Sequence, residues 1–216
     1  MKIMQIVTQM EGGGAQRVAV NLNNEMNKMG LNSNLCFLYL KRPTYSHVPN
    51  TSVLMENKIT SIFGFIKLLF KLIKFIISFK PDVLVTHTHY SNVLVQPIAW
   101  ILGVRRRIAV QHNPVETYPR VAIILDRLLG NFNIYTKNVV VSKTVLDSYE
   151  KYSKRYKDKL VLIYNGIEIE EKNEKSNNKY DFNFSNDEPI ILNVGRLSLQ
   201  KNQKIIIEAM QYIDYG

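Results

Sequence analysis

The chain has 216 residues, with 28 lysines and arginines against 18 aspartates and glutamates, which gives a formal net charge of +10. A hydrophobic fraction of 46% excludes wholesale disorder, and this length suffices for one domain with a substantial core. The single cysteine, Cys36, excludes an intrachain disulfide and a cysteine-rich zinc site. We expect its thiol to be buried and unreactive, since it lies in the apolar run LCFLYL. The basic charge favours anionic partners such as nucleic acid, acidic lipid or phosphorylated ligands.

Short apolar runs alternate with segments of helical length from the N-terminus onwards. The runs are rich in β-branched residues and mostly lack polar alternation, as in strands buried on both faces of a parallel sheet. They are IMQIVT, NLCFLYL, SVLM, DVLVTH, RIAVQH, NVVVS and LVLIY. The intervening segments predict helices over Ala15–Met29, Ile59–Phe79, Tyr90–Leu102, Pro119–Phe132 and Lys143–Tyr152. This alternation predicts a Rossmann-like α/β domain with a doubly wound parallel sheet over residues 1–167.

The sequence changes character after the last of these strands. Residues 168–188 are polar and poor in apolar side chains, which predicts an exposed linker. Residues 189–216 then offer one strand, PIILNVGRL, and one helix from about Lys201 to Ile213. One strand and one helix cannot bury a core of their own, so we expect the chain to stop just after entering a second domain.

A glycine-rich loop, Gly12 to Gly14, follows the first strand and opens the first helix. Glycines let the backbone approach a ligand closely, and amides at a helix N-terminus can receive a phosphate or a sugar hydroxyl. A dinucleotide-binding fingerprint is disfavoured because Arg17 stands where its third glycine belongs. The second strand also ends in FLYLKR, without an acidic residue for a ribose. A tight strand-to-helix turn without a ligand is the other structure that this pattern allows.

Three of the four histidines fall at the expected carboxyl ends of strands. His87 and His89 lie in VLVTHTH, and His112 lies in IAVQHNP. Ligands bind beyond these ends in open parallel sheets, so His112 and the glycine loop are expected to face one cleft. Because His87 and His89 alternate, only one of them should point at any given feature. We assign His89 and Asn113 to an acceptor cleft. A metal site is not expected, since no further carboxylate or cysteine stands at a suitable spacing.

Two basic segments lie outside this cleft. In VGRLSLQKN, Arg196 offers a bidentate grip on phosphate oxygens and Lys201 adds a point charge. In SIFGFIKLLFKLIKFIISFK, Lys67, Lys71 and Lys74 share one helical face among apolar residues. Such a helix can lie in an anionic membrane interface, and its lysines argue against a spanning segment. The alternative is a crossover helix that packs its apolar side on the sheet and solvates its lysines.

Six of these motifs, in this order, resemble the retaining GT-B-type glycosyltransferases of family four, the group-one glycosyltransferases. EGGGAQRVAVNL is similar to the family's GGAERVA-type loop, and PDVLVTHTH to its PDVVHAH strand. IAVQHN and NVVVSK are similar to its strands that end in His and Ser. LIYNGIE is similar to the NGID-type segment, and ILNVGRLSLQKN to the VGRLxxxKN opening of the donor domain.

The resemblance implies a GT-B-type N-terminal domain with a truncated second domain. It implies transfer of a sugar, with retention, from a nucleotide sugar to a glycan or lipid-linked acceptor, without a metal or other cofactor. Arg196 and Lys201 would hold the diphosphate, and the glycine loop would approach the donor. His112 would lie beside the transferred sugar as a catalytic residue. We expect a cytoplasmic enzyme of cell-surface polysaccharide or glycolipid synthesis, in peripheral contact with the inner face of the membrane.

The family's acidic EX7E element is absent from these 216 residues, so the fragment alone is expected to be inactive. The alternative function is a non-catalytic module that binds the acceptor or docks on a membrane. Nucleic-acid binding is not expected. The lysines are not interleaved with aromatic residues on an evident surface, and no nucleic-acid-binding motif occurs.

Overall fold

The computed structural model describes residues 1–166, 191–195, 197 and 201–212. The chain divides into two compact units, Met1–Glu168 and Ile169–Gly216. The predicted linker, 168–188, lies outside the described residues. Among the residues described, no helix is long and apolar enough to cross a membrane.

Seven parallel strands form one sheet in the first unit. They are β1 (Lys2–Met10), β2 (Asn32–Leu40), β3 (Thr51–Met55), β4 (Val83–Thr86), β5 (Arg106–Gln111), β6 (Lys137–Val140) and β7 (Leu160–Leu162). Their order in the sheet is β3-β2-β1-β4-β5-β6-β7. The chain runs outwards from β1 to one edge and then returns to β4, so the strand order reverses between β1 and β4. A ligand crevice forms at the carboxyl ends on either side of such a reversal. The predicted doubly wound sheet is confirmed.

Helices connect the strands as the sequence predicts. They are α1 (Gly14–Lys28), α2 (Ile62–Phe79), α3 (His89–Ile101), α4 (Arg120–Asn131), α5 (Lys143–Asp147) and α6 (Lys154–Lys157), with a short 3₁₀ turn at Val115–Thr117. The observed ends of α1 to α4 lie within three residues of the predicted ends. At the C-terminus of α1, Gly30 takes a left-handed φ of 77°, the conformation in which glycine commonly ends a helix.

Three helices cover one face of the sheet. Buried side chains of α2 and α3 share a core with Met4, Ile6 and Leu84. Because Leu84 pairs with Arg107 and Thr86 with Ala109, Ala109 points to the same side as Leu84. Ala109 packs with Ala122 of α4, so α4 lies on this face too. Helix α1 packs on the opposite face through Ala19 and Val20.

Cys36 lies within the core of the three-helix face and is fully buried. Burial raises the pKa of the Cys36 thiol, because the thiolate would lose its hydration. The expected burial of this thiol is therefore confirmed.

The predicted helix Lys143–Tyr152 is wrong in length. Helix α5 ends at Asp147, and a turn separates it from α6. The Ser148 hydroxyl donates to the Val145 carbonyl at 2.6 Å and accepts from the Val115 amide at 3.1 Å. The Ser153 hydroxyl then accepts from the Tyr156 amide at 3.2 Å and caps α6. The helix predicted to reach Tyr152 therefore ends early at a tertiary contact, and α6 begins beyond its predicted end.

In the second unit, α7 spans Gln203–Met210, inside the predicted helix. The strand predicted over 189–197 is not found in its described part, where residues 191–195 are irregular with a bend at Gly195. A strand requires a hydrogen-bonded neighbour, and no described residue of this unit belongs to a strand.

Candidate functional site

The glycine loop joins the carboxyl end of β1 to α1. Gly13 is the N-cap of α1 in extended conformation, and no side chain of the described residues caps this helix start. A Cβ on Gly13 would lie 2.5 Å from Oε1 of Gln16, whereas a Cβ on Gly12 or Gly14 would meet no atom of the described residues within 4 Å. The Gln16 side chain is held by its own bond to the Gln9 carbonyl, at 3.4 Å. The loop therefore presents open space over Gly12 and Gly14, beside the positive end of the helix dipole.

Hydroxyl groups tie the next strand end to this loop. The Thr8 and Thr88 hydroxyl oxygens lie 2.5 Å apart, across the ends of β1 and β4. Thr88 also begins α3 through a capping box with Ser91, whose hydroxyl accepts from the Thr88 amide at 3.1 Å. His89, the first residue of α3, therefore follows a residue that is fixed to β1.

His87 and His112 contact each other at the ends of β4 and β5. Their ring centroids are 5.8 Å apart. His87 is 1% exposed, and its Nε2 lies 2.9 Å from Oε1 of Gln5. Because that oxygen can only accept, Nε2 carries the hydrogen and Nδ1 is a lone-pair acceptor.

Burial keeps these two imidazoles neutral. It lowers the pKa of His87 to about 3, with a smaller contribution from His112, and the pKa of His112 to about 4. Within the described residues, Nδ1 of His87 and Nε2 of His112 have no hydrogen-bond partner. Buried polar atoms without partners are rare in folded proteins, so each one calls for an explanation. A ligand hydroxyl in the crevice would supply the missing partner, because a hydroxyl can donate as well as accept.

His89 lies beside the aromatic ring of Tyr118. The two ring centroids are 4.5 Å apart, and a second ring, that of Tyr90, is 4.0 Å from His89. Burial lowers the pKa of His89, so this imidazole is also neutral at pH 7. Its Nε2 has no partner within the described residues. Asn113 follows His112 and is exposed.

The remaining predicted site residues belong to α2 and to the second unit. Lys201 is exposed in the turn before α7, within the second unit, and Arg196 is outside the described residues. On α2, Lys67 and Lys74 are exposed, whereas Nζ of Lys71 donates to the Leu54 carbonyl at 2.8 Å. In the described part of the chain, no group of three or more His, Cys, Asp or Glu side chains could hold a metal ion.

A second buried polar cluster adjoins the site through Gln111, the residue before His112. Its centre is Asp126 of α4, which is 4% exposed. Oδ1 accepts from Gln111 at 3.1 Å and from the Tyr135 hydroxyl at 3.0 Å, and Oδ2 accepts from the Tyr156 hydroxyl at 2.5 Å. Burial raises the pKa of Asp126 to about 6, against the opposing effect of these three hydrogen bonds. We call Asp126, Gln111, Tyr135 and Tyr156 the carboxylate cluster.

Sequence reasoning missed several of these residues. Gln5 and Tyr118 stand in a strand interior and a loop, with no pattern that marks them. Asp126 does carry a signal, because it lies four residues from both Ala122 and Gly130 on the buried side of α4. Two small residues flanking an acid at helical spacing indicate room for a buried carboxylate.

The doubly wound sheet, with its glycine loop after β1 and its histidines after β4 and β5, matches the fold of the N-terminal domain of GT-B-type glycosyltransferases. The sequence profile of Glycosyltransferase Family 4 matches residues 12–171, well over half of the chain. The protein belongs to this family.

Individual relatives agree with this assignment. An uncharacterized glycosyltransferase from Methanocaldococcus jannaschii is 25% identical over 174 residues, which are 73% of this chain and 42% of that protein. Two solved structures have TM-scores of 0.61. HepE from Anabaena in complex with UDP is 15% identical, over 78% of this chain and 45% of its own. The lipopolysaccharide outer core galactosyltransferase WaaB is 13% identical, over 78% of this chain and 47% of its own.

The same fold also occurs in enzymes other than glycosyltransferases. At such identities the solved structures establish the fold, which a UDP-GlcNAc 2-epimerase from M. jannaschii also shares, with a TM-score of 0.55. The family profile is what distinguishes a transferase from an epimerase here. The chain spans less than half the length of the relatives that it matches.

Proposed function

We propose that this chain contributes the acceptor-side domain of an enzyme that transfers a sugar, with retention, from a nucleotide sugar to a glycan or lipid-linked acceptor. The observation that carries the proposal is the crevice between β1, β4 and β5. There, as far as the described residues show, an uncapped helix start faces open space, and neutral histidines leave ring nitrogens without partners.

The donor is a nucleotide sugar, bound with its sugar and phosphates near the glycine loop. Two observations support this. HepE, which shares the fold, has been solved with UDP and with UDP-glucose. In this chain, backbone amides at the start of α1 can donate to phosphate oxygens or sugar hydroxyls without a side chain in between. Arg196 and Lys201 complete the grip on the diphosphate, and neither a metal nor another cofactor takes part.

His112 acts beside the transferred sugar. A neutral imidazole can donate one hydrogen bond and accept another, so Nε2 can bind a sugar hydroxyl without a competing charge. The reaction would depend on stabilising the departing diphosphate and positioning the acceptor hydroxyl. His89 and Asn113 line the acceptor side, and His89 is held by Tyr118.

The acceptor is presented at a membrane. Lys67, Lys71 and Lys74 lie on α2, whose apolar side chains project into solvent beside them. A basic amphipathic helix of this kind binds anionic lipid surfaces. The enzyme would then act at the inner face of the cell membrane, in the synthesis of a cell-surface polysaccharide or glycolipid.

Donor turnover tests the chemistry without knowledge of the acceptor. The intact mass of the protein isolated from its native cell is measured first, by mass spectrometry. It is then incubated with a panel of nucleotide sugars, and the release of free nucleoside diphosphate is measured. We expect one donor to be turned over slowly in water, and His112→Ala to reduce that rate about a hundredfold. His47→Ala is the matched control, because His47 is exposed and outside the crevice.

The anomeric configuration of the released sugar, read by NMR, tests retention. An inverted product contradicts that part of the proposal. A native protein that binds no nucleotide sugar of the panel contradicts the enzyme assignment and favours the non-catalytic module.

A further inference from the structure

The outer surface of the three-helix face is unusually apolar. On α2, exposed side chains repeat at spacings of three and four residues, which places them in one row. They are Phe63, Ile66, Phe70, Ile73 and Ile77, with exposures between 37% and 80%. We call this row the α2 ridge. Its opposite side, with Leu68, Leu72 and Ile76, is buried on the sheet.

Helix α4 carries a second exposed row on the same face of the sheet. It consists of Val121, Ile124, Leu125, Leu128 and Phe132, with exposures between 42% and 69%. We call it the α4 ridge. Its opposite side, with Ala122, Asp126 and Gly130, is buried. Helix α3 packs against α4 and exposes Trp100 and Ile101 at its C-terminal end.

Soluble proteins rarely expose so many large apolar side chains on one face unless that face binds a partner. The charges on these helices select the kind of partner. Helices α2, α3 and α4 carry five basic residues and one acidic residue, namely Lys67, Lys71, Lys74, Arg120, Arg127 and Asp126. The acidic residue is Asp126, which is buried in the carboxylate cluster. The outward charge of these three helices is therefore entirely positive.

A second copy of the chain is a poor partner for such a surface. Two α2 ridges facing each other would bring Lys67 and Lys74 of both copies together. Helix α2 offers no acidic residue to pair with them. An anionic lipid surface satisfies both features at once, since acyl chains receive the ridges and headgroups pair with the bases.

From these observations we infer that the α2 and α4 ridges insert together into an anionic bilayer, so that the whole three-helix face is one membrane-docking surface. The inference rests on the proposed membrane contact of α2 and extends it to α4. Helix α4 follows directly on the segment from His112 to Tyr118. Docking through both ridges would therefore hold the crevice close to the lipid surface, where a lipid-linked acceptor presents its glycan.

Selective fluorescent labelling can test insertion of each ridge separately. Cys36 is the only cysteine and is buried, so a cysteine placed on the surface can be labelled alone. The variants are Phe70→Cys on the α2 ridge, Leu128→Cys on the α4 ridge and Met29→Cys as the control. Met29 is 76% exposed and follows α1, the helix on the opposite face of the sheet. Each carries a polarity-sensitive dye and is mixed with vesicles of phosphatidylcholine, with or without phosphatidylglycerol.

We expect the dyes at positions 70 and 128 to shift to shorter wavelength with the anionic vesicles, while the dye at position 29 does not respond. The double variant Ile124→Ser with Leu128→Ser should weaken sedimentation with these vesicles about tenfold or more, because two apolar side chains no longer enter the bilayer. Circular dichroism of each variant checks that the fold is intact.

Each other outcome contradicts either the inference alone or the proposed membrane contact of α2 as well. A shift at position 70 alone contradicts the inference but leaves the proposed contact of α2. No shift at either position contradicts both. A shift at position 128 without vesicles, together with a dimer in light scattering, identifies a second copy as the partner and contradicts the inference. None of these readouts depends on sugar transfer, so failure of the proposed chemistry remains a separate result.

Discussion

The first unit contains two buried polar clusters that differ in one respect. In the histidine cluster at the ends of β4 and β5, ring nitrogens of His87 and His112 lack partners within the described residues. In the carboxylate cluster, both oxygens of Asp126 accept hydrogen bonds, from Gln111, Tyr135 and Tyr156. Gln111 and His112 are adjacent, so the two clusters meet at one peptide bond. A cluster that satisfies itself specifies the fold, whereas one that leaves acceptors or donors unused is available to a ligand.

The largest expected effect is that of Asp126→Ala, because it leaves three buried donors without their acceptor. Removing one partner from a buried, hydrogen-bonded charge costs about 3–5 kcal/mol, and we expect the free energy of unfolding to fall by roughly that amount. Urea unfolding followed by circular dichroism measures it. Asp147→Ala is the matched control, since Asp147 is exposed on α5. Equal, small losses in both variants would show that the carboxylate cluster does not stabilise the fold.

Two glycine substitutions compare how tightly the carboxylate cluster and the glycine loop are packed. A Cβ on Gly130 would overlap the Tyr156 ring, which bonds to Asp126, whereas a Cβ on Gly14 meets nothing within 4 Å. We expect Gly130→Ala to cost about 2–3 kcal/mol through overpacking. Gly14→Ala should change stability by less than about 1 kcal/mol. The same urea titration checks both variants, and a Gly14→Ala loss as large as that of Gly130→Ala would contradict the open glycine loop.

The pH dependence of the free energy of unfolding should distinguish the two clusters, because the pKa is lowered for His87 and His112 and raised for Asp126. Burial depresses the pKa of His87 to about 3 and that of His112 to about 4. The stability linked to their neutral forms is therefore present above about pH 6.5 and is lost as the pH falls from there through these folded values. The raised pKa of Asp126 acts oppositely: its contribution is complete below 3.8 and is lost as the pH rises through about 6. Two histidines outweigh one carboxyl group, so acidification should destabilise the fold.

We expect a net loss of roughly 1 kcal/mol per pH unit on going below pH 6.5. Urea midpoints at several pH values measure it, and Asp126→Asn should make the loss steeper, because it removes the opposing group. Stability that is flat or rising towards acid would show that the two histidines are hydrated rather than buried.

The sequence predicted the regular parts of the fold and the position of the site more fully than the contacts within it. Strand runs and capping residues such as Gly30 act locally, and seven strands and four helices were predicted near their observed ends. The end of α5 was not, because Ser148 bonds to Val115, 33 residues away, and no local pattern shows such a contact. The position of His112 at a strand end could likewise be predicted from the local run. The bond between Gln5 and His87 could not, because these residues are 82 positions apart in the sequence.

The smallest expected effect concerns His112 itself. Its Nε2 lacks a partner within the described residues and its pKa is lowered by burial, so the folded protein gains little from this imidazole. We expect His112→Asn to change the free energy of unfolding by less than about 1 kcal/mol at pH 7 and to reduce its loss on acidification. Paired urea titrations of this variant and the wild type near pH 7 and pH 5 measure both. A residue that is nearly neutral for folding and yet required for donor turnover would be held in place for its ligand. A loss comparable to that of Asp126→Ala would instead place His112 with the carboxylate cluster, as part of what holds the fold together.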